Sequence, residues 1–526
     1  MYVPALVHEY LSLNAYRYPE KEALIFREKR WTYRDIDLYS NSLANILIQL
    51  GMEKQDRVVI FLDNSSESVI SLYGILKGGG IFVILNGSMK GKKLAYILKD
   101  SGATILITHT EKGSEVKKAL KGLKQDCKIV WVGDQNSIPD EMIPFSVFWD
   151  SIMDPSGEKN YGKRIRINSE KLPRIIDQDL AALIYTSGST GEPKGVMSSH
   201  LNMVSAARSI IQYLKNTQED IIINVLPLSF DYGLYQVIMT FMFGGTIILE
   251  KYFLYPIKIL QKIRKESVTG FPIVPTLLAI LLSLKDLEKY DLSSIRYMTN
   301  TGASLPVEHI RKIRSLLPHV DFYSMFGLTE CKRISYLTPE EIDRKPTSVG
   351  KPMPNCEVWV VDDQGNEVSP GKVGELIVSG SNVMKGYWNS PELTSKVYKN
   401  YKLPGDWVLY TGDLFKKDGD GYLYFIGRKD DLIKTKGERV SPKEIENIIH
   451  EMEGVSEVAV IGVDDEIFGQ AIKVFIVTMP GQKLTANEIL KYCSENLESF
   501  MVPKYIEFIK ELPKTDHGKI DKKSLS

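Results

Sequence analysis

The sequence predicts a large α/β domain of layered parallel βαβ units that includes a small β-rich subdomain, followed by a small α+β domain. Short apolar runs alternate with stretches of helical spacing between residues 57 and 298, a pattern typical of parallel sheets. From about residue 357, turn-forming residues separate closely spaced apolar runs, which indicates hairpins. A charge-rich segment with few apolar residues at 428–437 then marks a boundary.

The first βαβ unit is the clearest. Residues 57–62 form the apolar run of a buried strand, and residues 65–77 have helical spacing and end at three glycines. Residues 81–85 form a second apolar run, so the order strand, helix, strand predicts a parallel pair. Further strands are predicted at 103–108, 128–132, 181–185, 221–226, 246–249 and 295–298.

The C-terminal part mixes both element types. After the boundary, Ser441, Pro442 and Glu444 predict a helix start with a capping box. The other elements predicted beyond residue 350 are strands at 358–361, 375–378, 458–463 and 473–477 and a helix at 486–496. The expected organisation is a core at 1–428 with its β-rich part at about 350–428, a polar connection at 151–171, a hinge at 429–432 and a C-terminal domain at 433–526.

The composition of the chain excludes several classes of binding partner. The 66 Lys and Arg residues balance 66 Asp and Glu, so a general basic surface for nucleic acid or anionic lipid is excluded. The four cysteines are scattered without metal-site spacing, which fits a reducing compartment. The N-terminus lacks the pattern of a signal peptide, and the most apolar stretch, 237–249, is too short to span a bilayer. We therefore expect a cytoplasmic protein without nucleic-acid or membrane partners.

The segment 185–195 (Tyr-Thr-Ser-Gly-Ser-Thr-Gly-Glu-Pro-Lys-Gly) is the most informative stretch. Hydroxyl and glycine residues after a strand allow backbone N–H groups and hydroxyls to surround phosphate oxygens, and Lys194 adds a positive charge. Pro193 before the lysine and Gly195 after it distinguish this loop from a Walker A motif. A flexible surface turn is the alternative interpretation.

Further motifs follow in order along the chain. They are Trp-Thr-Tyr at 31–33, Phe-Gly-Leu-Thr-Glu at 326–330, Gly-Glu-Leu at 374–376, Gly-Tyr at 386–387, Tyr-Thr-Gly-Asp at 410–413, Gly-Arg-Lys-Asp at 427–430 and Pro-Lys-Thr-Asp-His-Gly-Lys-Ile-Asp at 513–521. Together with the 185–195 loop, these motifs resemble the adenylate-forming superfamily of acyl-CoA synthetases, amino-acid-adenylating domains and luciferases. The resemblance covers essentially the whole chain.

The resemblance implies that a carboxylate attacks the α-phosphate of ATP to give an acyl-adenylate and pyrophosphate, with Mg²⁺ present. It implies catalytic roles for Lys519, Glu330 and Thr186, with Glu330 also holding Mg²⁺. The residues it implies for ATP and AMP are Ser187, Gly188, Ser189, Thr190, Gly191, Lys194, Gly302, Ala303, Ser304, Phe326, Gly327, Thr329, Asp413 and Arg428. Alternatives from residue type alone are that Phe326 belongs to the core, that Asp413 caps a turn and that Lys519 is a surface lysine.

The resemblance also implies a second half-reaction. Asp430 matches the hinge about which the C-terminal domain of such enzymes rotates after adenylation. Lys436 and Gly437 would then lie on the face that receives the pantetheine thiol. An ordinary exposed linker is the alternative, and it is compatible with a hinge.

The substrate is indicated by two blocks. Phe230 and Asp231 stand where many acyl-CoA synthetases have a Phe-His pair, and they resemble amino-acid-adenylating domains, whose aspartate binds the α-ammonium group. Residues 329–337 resemble stand-alone L-proline adenylating enzymes that load a peptidyl carrier protein in natural-product pathways. The implied substrate-binding residues are Asp231, Phe230, Tyr232, Tyr235, Thr299, Thr301 and Met325.

Our main hypothesis is therefore activation of L-proline and its transfer to the phosphopantetheine thiol of a separate peptidyl carrier protein. One alternative is a fatty- or aryl-acyl ligase that forms acyl-AMP or acyl-CoA. An alternative of another class is a non-catalytic nucleotide-binding scaffold.

Two residues near the predicted pocket have alternative roles. Asp231 also fits a helix cap. Arg333 falls near the pocket, where a phosphate or the substrate carboxylate are its alternative partners.

Overall fold

The computed structural model describes most of the chain. The described residues are 3–121, 123, 126–134, 138, 146–149, 172–187, 192–251, 253, 255–284, 287–302, 305–402, 405, 407–429, 431–435, 438–465, 469–515 and 520–525. The whole of the predicted connection at 151–171 therefore lies outside them.

The helices are numbered along the described chain. They are α1 Val7–Arg17, α2 Tyr33–Gln49, α3 Ser66–Lys77, α4 Gly91–Ser101, α5 Gly113–Leu120, α6 His200–Leu214, α7 Asp231–Phe243, α8 Pro256–Lys265, α9 Pro275–Ser283, α10 Val307–Leu316, α11 Pro391–Val397, α12 Pro442–His450 and α13 Ala486–Asn496. None of the helices within the described residues has the length and apolar character required to cross a membrane.

The strands are numbered in the same way. They are β1 Glu22–Phe26, β2 Lys29–Thr32, β3 Arg57–Phe61, β4 Ile81–Ile84, β5 Ile105–His109, β6 Lys128–Val132, β7 Ser146–Phe148, β8 Leu180–Ser187, β9 Pro193–Ser199, β10 Ile221–Asn224, β11 Thr246–Leu249, β12 Gly270–Ile273, β13 Tyr297–Asn300, β14 Asp321–Phe326, β15 Ser335–Leu337, β16 Lys351–Pro352, β17 Cys356–Val361, β18 Val373–Gly380, β19 Tyr398–Asn400, β20 Trp407–Lys417, β21 Leu423–Arg428, β22 Ile433–Thr435, β23 Glu438–Val440, β24 Val455–Asp465, β25 Gly469–Thr478 and β26 Tyr505–Phe508.

Two large sheets with helices packed on them form the core of the first domain. One has the order β16-β15-β14-β13-β12-β10-β11-β1-β2, and the other has the order β7-β6-β5-β3-β4-β8-β9. Strands β3 and β4 are parallel with α3 between them, which confirms the predicted βαβ unit. Helix α3 begins with the Ser65 hydroxyl accepting from the Ser68 N–H at 3.1 Å, and most of its residues are buried. The α/β class is confirmed.

The remaining strands form two smaller sheets. Strands β17 to β21 make an antiparallel sheet in the β-rich region, as the hairpin pattern predicts. Strands β22 to β26 with α12 and α13 make the C-terminal domain, which has its own core around Ile445, Val474 and Ile489.

Two local predictions were wrong. The strand predicted at 295–298 is β13, displaced by two residues, because parallel pairing with β12 aligns Gly270 with Tyr297 and carries polar Thr299 and Asn300 into the sheet. The predicted capping box at α12 does not form. Instead, the Ser441 hydroxyl donates to the Ile426 carbonyl of β21, so it joins the C-terminal domain to the preceding sheet.

Strands β10 to β14 place their carboxyl ends along one edge of the nine-stranded sheet, since these neighbouring strands are parallel. Residues that follow these ends include Thr301 and Gly302 after β13 and Gly327 after β14. Ligands of open α/β sheets bind at this edge.

Candidate active site

The predicted phosphate loop joins two antiparallel strands. Strands β8 and β9 place Thr186 opposite Lys194, and the tip at 188–191 lies outside the described residues. The roles of Gly188, Ser189, Thr190 and Gly191 therefore stay predictions, as does that of Ser187. Thr186 and Lys194 are half-buried at the base of the hairpin.

The base of this hairpin is tied to the segment that contains Tyr387. Val196 of β9 pairs with Tyr387, and the Lys194 Nζ lies 5.6 Å from the centroid of the Tyr387 ring. The Tyr387 hydroxyl donates to the Glu330 Oε1 at 2.7 Å. Burial, reinforced by the Glu330 carboxylate, raises the pKa of Tyr387 well above its usual value. The structure thus brings together the predicted phosphate lysine and the predicted metal carboxylate, with a tyrosine between them.

Glu330 is suited to hold Mg²⁺ beside phosphate groups. Its backbone carbonyl accepts from the Met384 N–H at 2.8 Å, which fixes the turn. In the described part of the chain, its carboxylate receives a hydrogen bond from Tyr387 alone. Within the same residues no cluster of three or more His, Cys, Asp or Glu side chains could hold a metal ion. One carboxylate with phosphate oxygens is a usual ligand set for Mg²⁺, so the residues fit the ion.

Asp413 and Arg428 form the predicted nucleoside pair. They face each other across strands β20 and β21, and the Arg428 Nη1 lies 3.1 Å from the Asp413 Oδ1. Asp413 is buried, whereas the Arg428 side chain is 46% exposed. A buried carboxylate beside an exposed guanidinium suits a ribose diol next to a phosphate, which stays a prediction for these residues.

The predicted adenine residues are only partly described. Gly302 lies directly after β13 with φ of +90°, whereas Ala303 and Ser304 lie outside the described residues. The Phe326 ring packs edge-on against Phe415 at 4.9 Å and also contacts Phe425. The half-buried Phe326 thus belongs to an aromatic cluster, and its stacking on adenine stays a prediction.

A tight turn connects the nucleotide residues to the acyl side of the site. A side chain at Gly327 would place its Cβ 2.2 Å from the Lys332 carbonyl oxygen, so only glycine fits there. Lys332 itself has φ of +60°, in the left-handed region. Half-buried Thr329 and Glu330 lie within this turn, and the chain then enters β15. The turn therefore directs Lys332 and Arg333 into the protein.

The predicted ammonium-binding aspartate already has a cationic partner. Asp231 lies at the start of α7, and its Oδ2 is 3.3 Å from the Lys332 Nζ. The two side chains are 10% and 1% exposed. Burial lowers the pKa of Lys332 to about 7, although Asp231 opposes this shift. Lys332 is not among the predicted site residues, although a Lys-Arg pair between two apolar strands is a recognisable signal.

Tyrosines surround this pair. The Lys332 ammonium lies 4.0 Å from the centroid of the Tyr235 ring. The Tyr232 hydroxyl lies 2.6 Å from the Thr299 Oγ1 and donates to the Thr299 carbonyl at 2.7 Å. Phe230 precedes α7, and its ring contacts Tyr232 edge-on at 6.2 Å.

Arg333 occupies the other side of the same region. Its Nη1 donates to the Thr301 Oγ1, and its guanidinium lies 5.5 Å from the centroid of the Tyr232 ring. The Tyr213 hydroxyl, absent from the predicted set, donates to the Met325 Sδ at 2.9 Å. The structure thus brings together one small, aromatic region, which we call the predicted acyl region. It is formed by Asp231, Tyr232, Tyr235, Thr299, Thr301 and Met325.

The residues predicted for the C-terminal domain's chemistry are not described. Asp430, Lys436, Gly437 and Lys519 all lie outside the described residues, so their roles stay predictions. Their neighbours are described: β22 and β23 pair on either side of Lys436 and Gly437. Lys514 likewise forms an antiparallel bridge with Ile520.

The fold, with the predicted phosphate-loop lysine and the predicted metal carboxylate brought together in it, is that of an ATP-dependent, adenylate-forming ligase. The chain belongs to the AMP-binding enzyme family: residues 11–388 match its model, and residues 444–519 match that of the AMP-binding enzyme C-terminal domain. The predicted superfamily and its use of ATP and Mg²⁺ are confirmed.

Similar proteins come from two branches. The chain is 33% identical over 98% of its length, and 93% of the relative, to a long-chain-fatty-acid–CoA ligase of Bacillus subtilis. It is 28% identical over 96% of its length to gramicidin S synthase 2 of Brevibacillus brevis, of which it covers 11%.

Solved structures share the whole architecture. The anthranilate CoA ligase AuaEII with anthranoyl-AMP has a TM-score of 0.89 at 28% identity, covering 99% of this chain and 97% of that one. ATP-bound MatB from Rhodopseudomonas palustris has a TM-score of 0.85 at 28% identity, covering 98% of both chains.

Proposed function

We propose that this protein activates a carboxylic acid without an α-amino group as acyl-AMP and then forms its thioester with coenzyme A. The observation that carries this proposal is the buried ion pair between Asp231 and Lys332. The proposal favours the acyl- or aryl-ligase alternative over the prolyl hypothesis. It is supported by the similar fatty-acid and anthranilate CoA ligases.

The ion pair removes the net negative charge that would attract a substrate ammonium to the acyl region. An aspartate that binds a substrate ammonium must offer an uncompensated negative charge, whereas Lys332 already neutralises Asp231 at 3.3 Å. A substrate ammonium on Asp231 would lie about 5 Å from the lysine ammonium, and while Lys332 is protonated an effective dielectric constant of about 20 gives a repulsion of about 3 kcal/mol. Arg333 adds a further positive charge nearby. An acid without an amine avoids this repulsion.

The chain's own residues then divide the chemistry. Lys194 and the hairpin hold the phosphates, and Asp413 holds the ribose, while the acid's carboxylate attacks the α-phosphorus and pyrophosphate leaves. Magnesium bound at Glu330 would supply positive charge to the phosphate oxygens. Lys519 would bridge the attacking carboxylate and the α-phosphate. Lys519→Ala should therefore abolish adenylation but leave thioester formation from supplied acyl-AMP largely intact.

The direct test is acid-dependent pyrophosphate–ATP exchange with fatty, aryl and short aliphatic acids and with L-proline at equal concentrations. We expect exchange with acids that lack an amine, and formation of their CoA thioesters detected by chromatography. A dominant proline signal would overturn the proposal, as would transfer to a phosphopantetheinylated carrier protein but not to coenzyme A.

A substitution makes the electrostatic argument testable. Lys332→Met removes the ammonium but keeps the length of the side chain, so Asp231 becomes an unpaired buried carboxylate that an amine can neutralise. We expect this variant to gain exchange with amino acids relative to amine-free acids. Lys372→Met, at an exposed position, is the matched control and should leave the preference unchanged. An unchanged preference in Lys332→Met would contradict the role of the pair.

Activation of L-proline is the second candidate. It is favoured by the position of Asp231 at the start of a buried helix and by the similarity to gramicidin S synthase 2. The same exchange assay decides between the two, since proline and a matched cyclic acid without nitrogen, cyclopentanecarboxylate, differ only at the amine.

A further inference from the structure

Arg333 is a buried cation without an anionic partner in the described structure. Arg333 is 2% exposed. Among the described residues no carboxylate forms an ion pair with it, and its Nε has no hydrogen-bond partner. Among the described residues its guanidinium donates from Nη1 to the Thr301 hydroxyl and also forms a hydrogen bond with the Tyr213 hydroxyl, and both partners are neutral. Burying a charge in this way is unfavourable unless something compensates it.

The neighbouring lysine shows the contrast. Lys332 is equally buried, but it has Asp231 as a counter-ion and Tyr235 beneath its ammonium. The three charged groups Asp231, Lys332 and Arg333 therefore leave one positive charge uncompensated. That charge belongs to the guanidinium, since Lys332 neutralises the one carboxylate among them.

The surroundings of Arg333 are those of the acyl region. Tyr232 lies beside its guanidinium, and the Arg333 charge limits the rise that burial causes in the pKa of Tyr213. The Tyr213 ring stacks on Tyr336 with centroids 3.9 Å apart, which closes this side with aromatic surface. A guanidinium whose Nε has no hydrogen-bond partner, among aromatic side chains and neutral hydroxyls, matches a carboxylate, which a guanidinium can bind through two parallel hydrogen bonds.

We propose that Arg333 binds a second carboxylate of the acyl substrate, so that the acid activated by this enzyme is a compact dicarboxylic acid. One carboxylate is adenylated, and the other compensates the Arg333 charge. This inference rests on the proposed function, because it specifies the acid that the same site accepts. A substrate without a second carboxylate would leave the Arg333 charge uncompensated.

The test compares each diacid with its half-ester. Exchange is measured with malonate, succinate, glutarate and phthalate and with their monomethyl esters, which keep one reactive carboxylate and remove the second charge. We expect the best diacid to exceed its half-ester by roughly 100-fold in kcat/KM, mostly through KM, as expected for a charge-assisted pair. Arg333→Met should abolish this difference, and Arg333→Lys should restore part of it.

The controls address folding and location. Arg311→Met, at an exposed position of α10, should leave every constant unchanged. Arg333→Met removes an uncompensated buried charge, so its melting temperature should equal or exceed that of the unsubstituted protein. The best diacid should raise the melting temperature of the unsubstituted protein but not that of Arg333→Met, which tests binding without activity.

The outcomes are distinct. Equal use of diacids and half-esters would overturn the role of Arg333 but leave the proposed function standing. A uniform loss with all acids in Arg333→Met would also overturn it, because the guanidinium would then act on the reacting carboxylate or a phosphate. Exchange with amino acids alone would overturn both proposals.

Discussion

The ion pair between Asp231 and Lys332 should be measurable as a loss of stability when its negative partner is removed. Asp231→Asn keeps the size of the side chain and leaves Lys332 buried without a counter-ion. At 3.3 Å and an effective dielectric constant of about 20, the attraction within the pair is about 5 kcal/mol. Breaking a buried pair on one side costs about 3–5 kcal/mol.

The lower end of that range is expected, since burial already lowers the pKa of Lys332 to about 7 and the ammonium can release its proton. For a unit of the size of residues 1–428, the unfolding entropy is about 0.9 kcal/mol/K, so a loss of about 3 kcal/mol lowers Tm by about 3 °C. The measurement is calorimetric melting of both proteins at the same pH and scan rate.

The matched control is the double variant Asp231→Asn/Lys332→Met, in which neither charge remains. It should recover most of the lost stability, because two neutral side chains of similar volume replace the pair. If Asp231→Asn melts within 1 °C of the unsubstituted protein, or if the double variant melts lower than the single one, Asp231 is not neutralised by Lys332 and the electrostatic argument fails.

Three further predictions concern neighbouring features. Tyr387→Phe removes the 2.7 Å hydrogen bond to Glu330 and should weaken the apparent affinity for Mg²⁺ in the exchange assay by roughly 10-fold. Gly327→Ala places a Cβ against the Lys332 carbonyl and should reduce exchange with every acid, because the turn must open. Burial lowers the pKa of His200 to about 4, so only the unfolded chain takes up this proton between pH 6.5 and 4, and stability falls by roughly 3 kcal/mol over that window. His200→Gln should remove this part of the acid sensitivity, measured as denaturation midpoints at pH 7 and pH 5.

Much of the fold follows from the sequence because buried parallel strands are short apolar runs that need no partner information to be recognised. The pattern at 57–85 predicts β3, α3 and β4 almost to the residue. The register of β13 does not follow from the sequence. Its carboxyl-terminal residues Thr299 and Asn300 are polar and buried, and only pairing with β12 shows that they belong to the strand.

Some features of the candidate site follow from the sequence, and others appear only in the folded chain. Contiguous motifs single out Glu330, Asp413 and Lys194, whose roles stay predictions, and the structure brings Lys194 and Glu330 together around Tyr387. The pairing of Asp231 with Lys332 could not be predicted, since the two residues are about a hundred positions apart and meet only when α7 and the turn after β14 pack together. The sequence alone therefore leaves Asp231 looking like an unpaired carboxylate, and that appearance leads to the prolyl hypothesis.

One turn carries both ends of the proposed chemistry. Glu330 lies two residues before Lys332 and three before Arg333, and Gly327 permits the close backbone approach that fixes all three. In the proposed function, the reacting carboxylate lies between Glu330 and the two buried cations, whose spacing is set by the backbone. Substitutions at Lys332 or Arg333 can change which acid is positioned there while Glu330 and Tyr387 keep their geometry. For this reason we expect variants at the two cations to change the ranking of acids and those at Glu330 or Tyr387 to lower the rate for all acids alike. A change in ranking produced by Tyr387→Phe would show that the two ends are not independent.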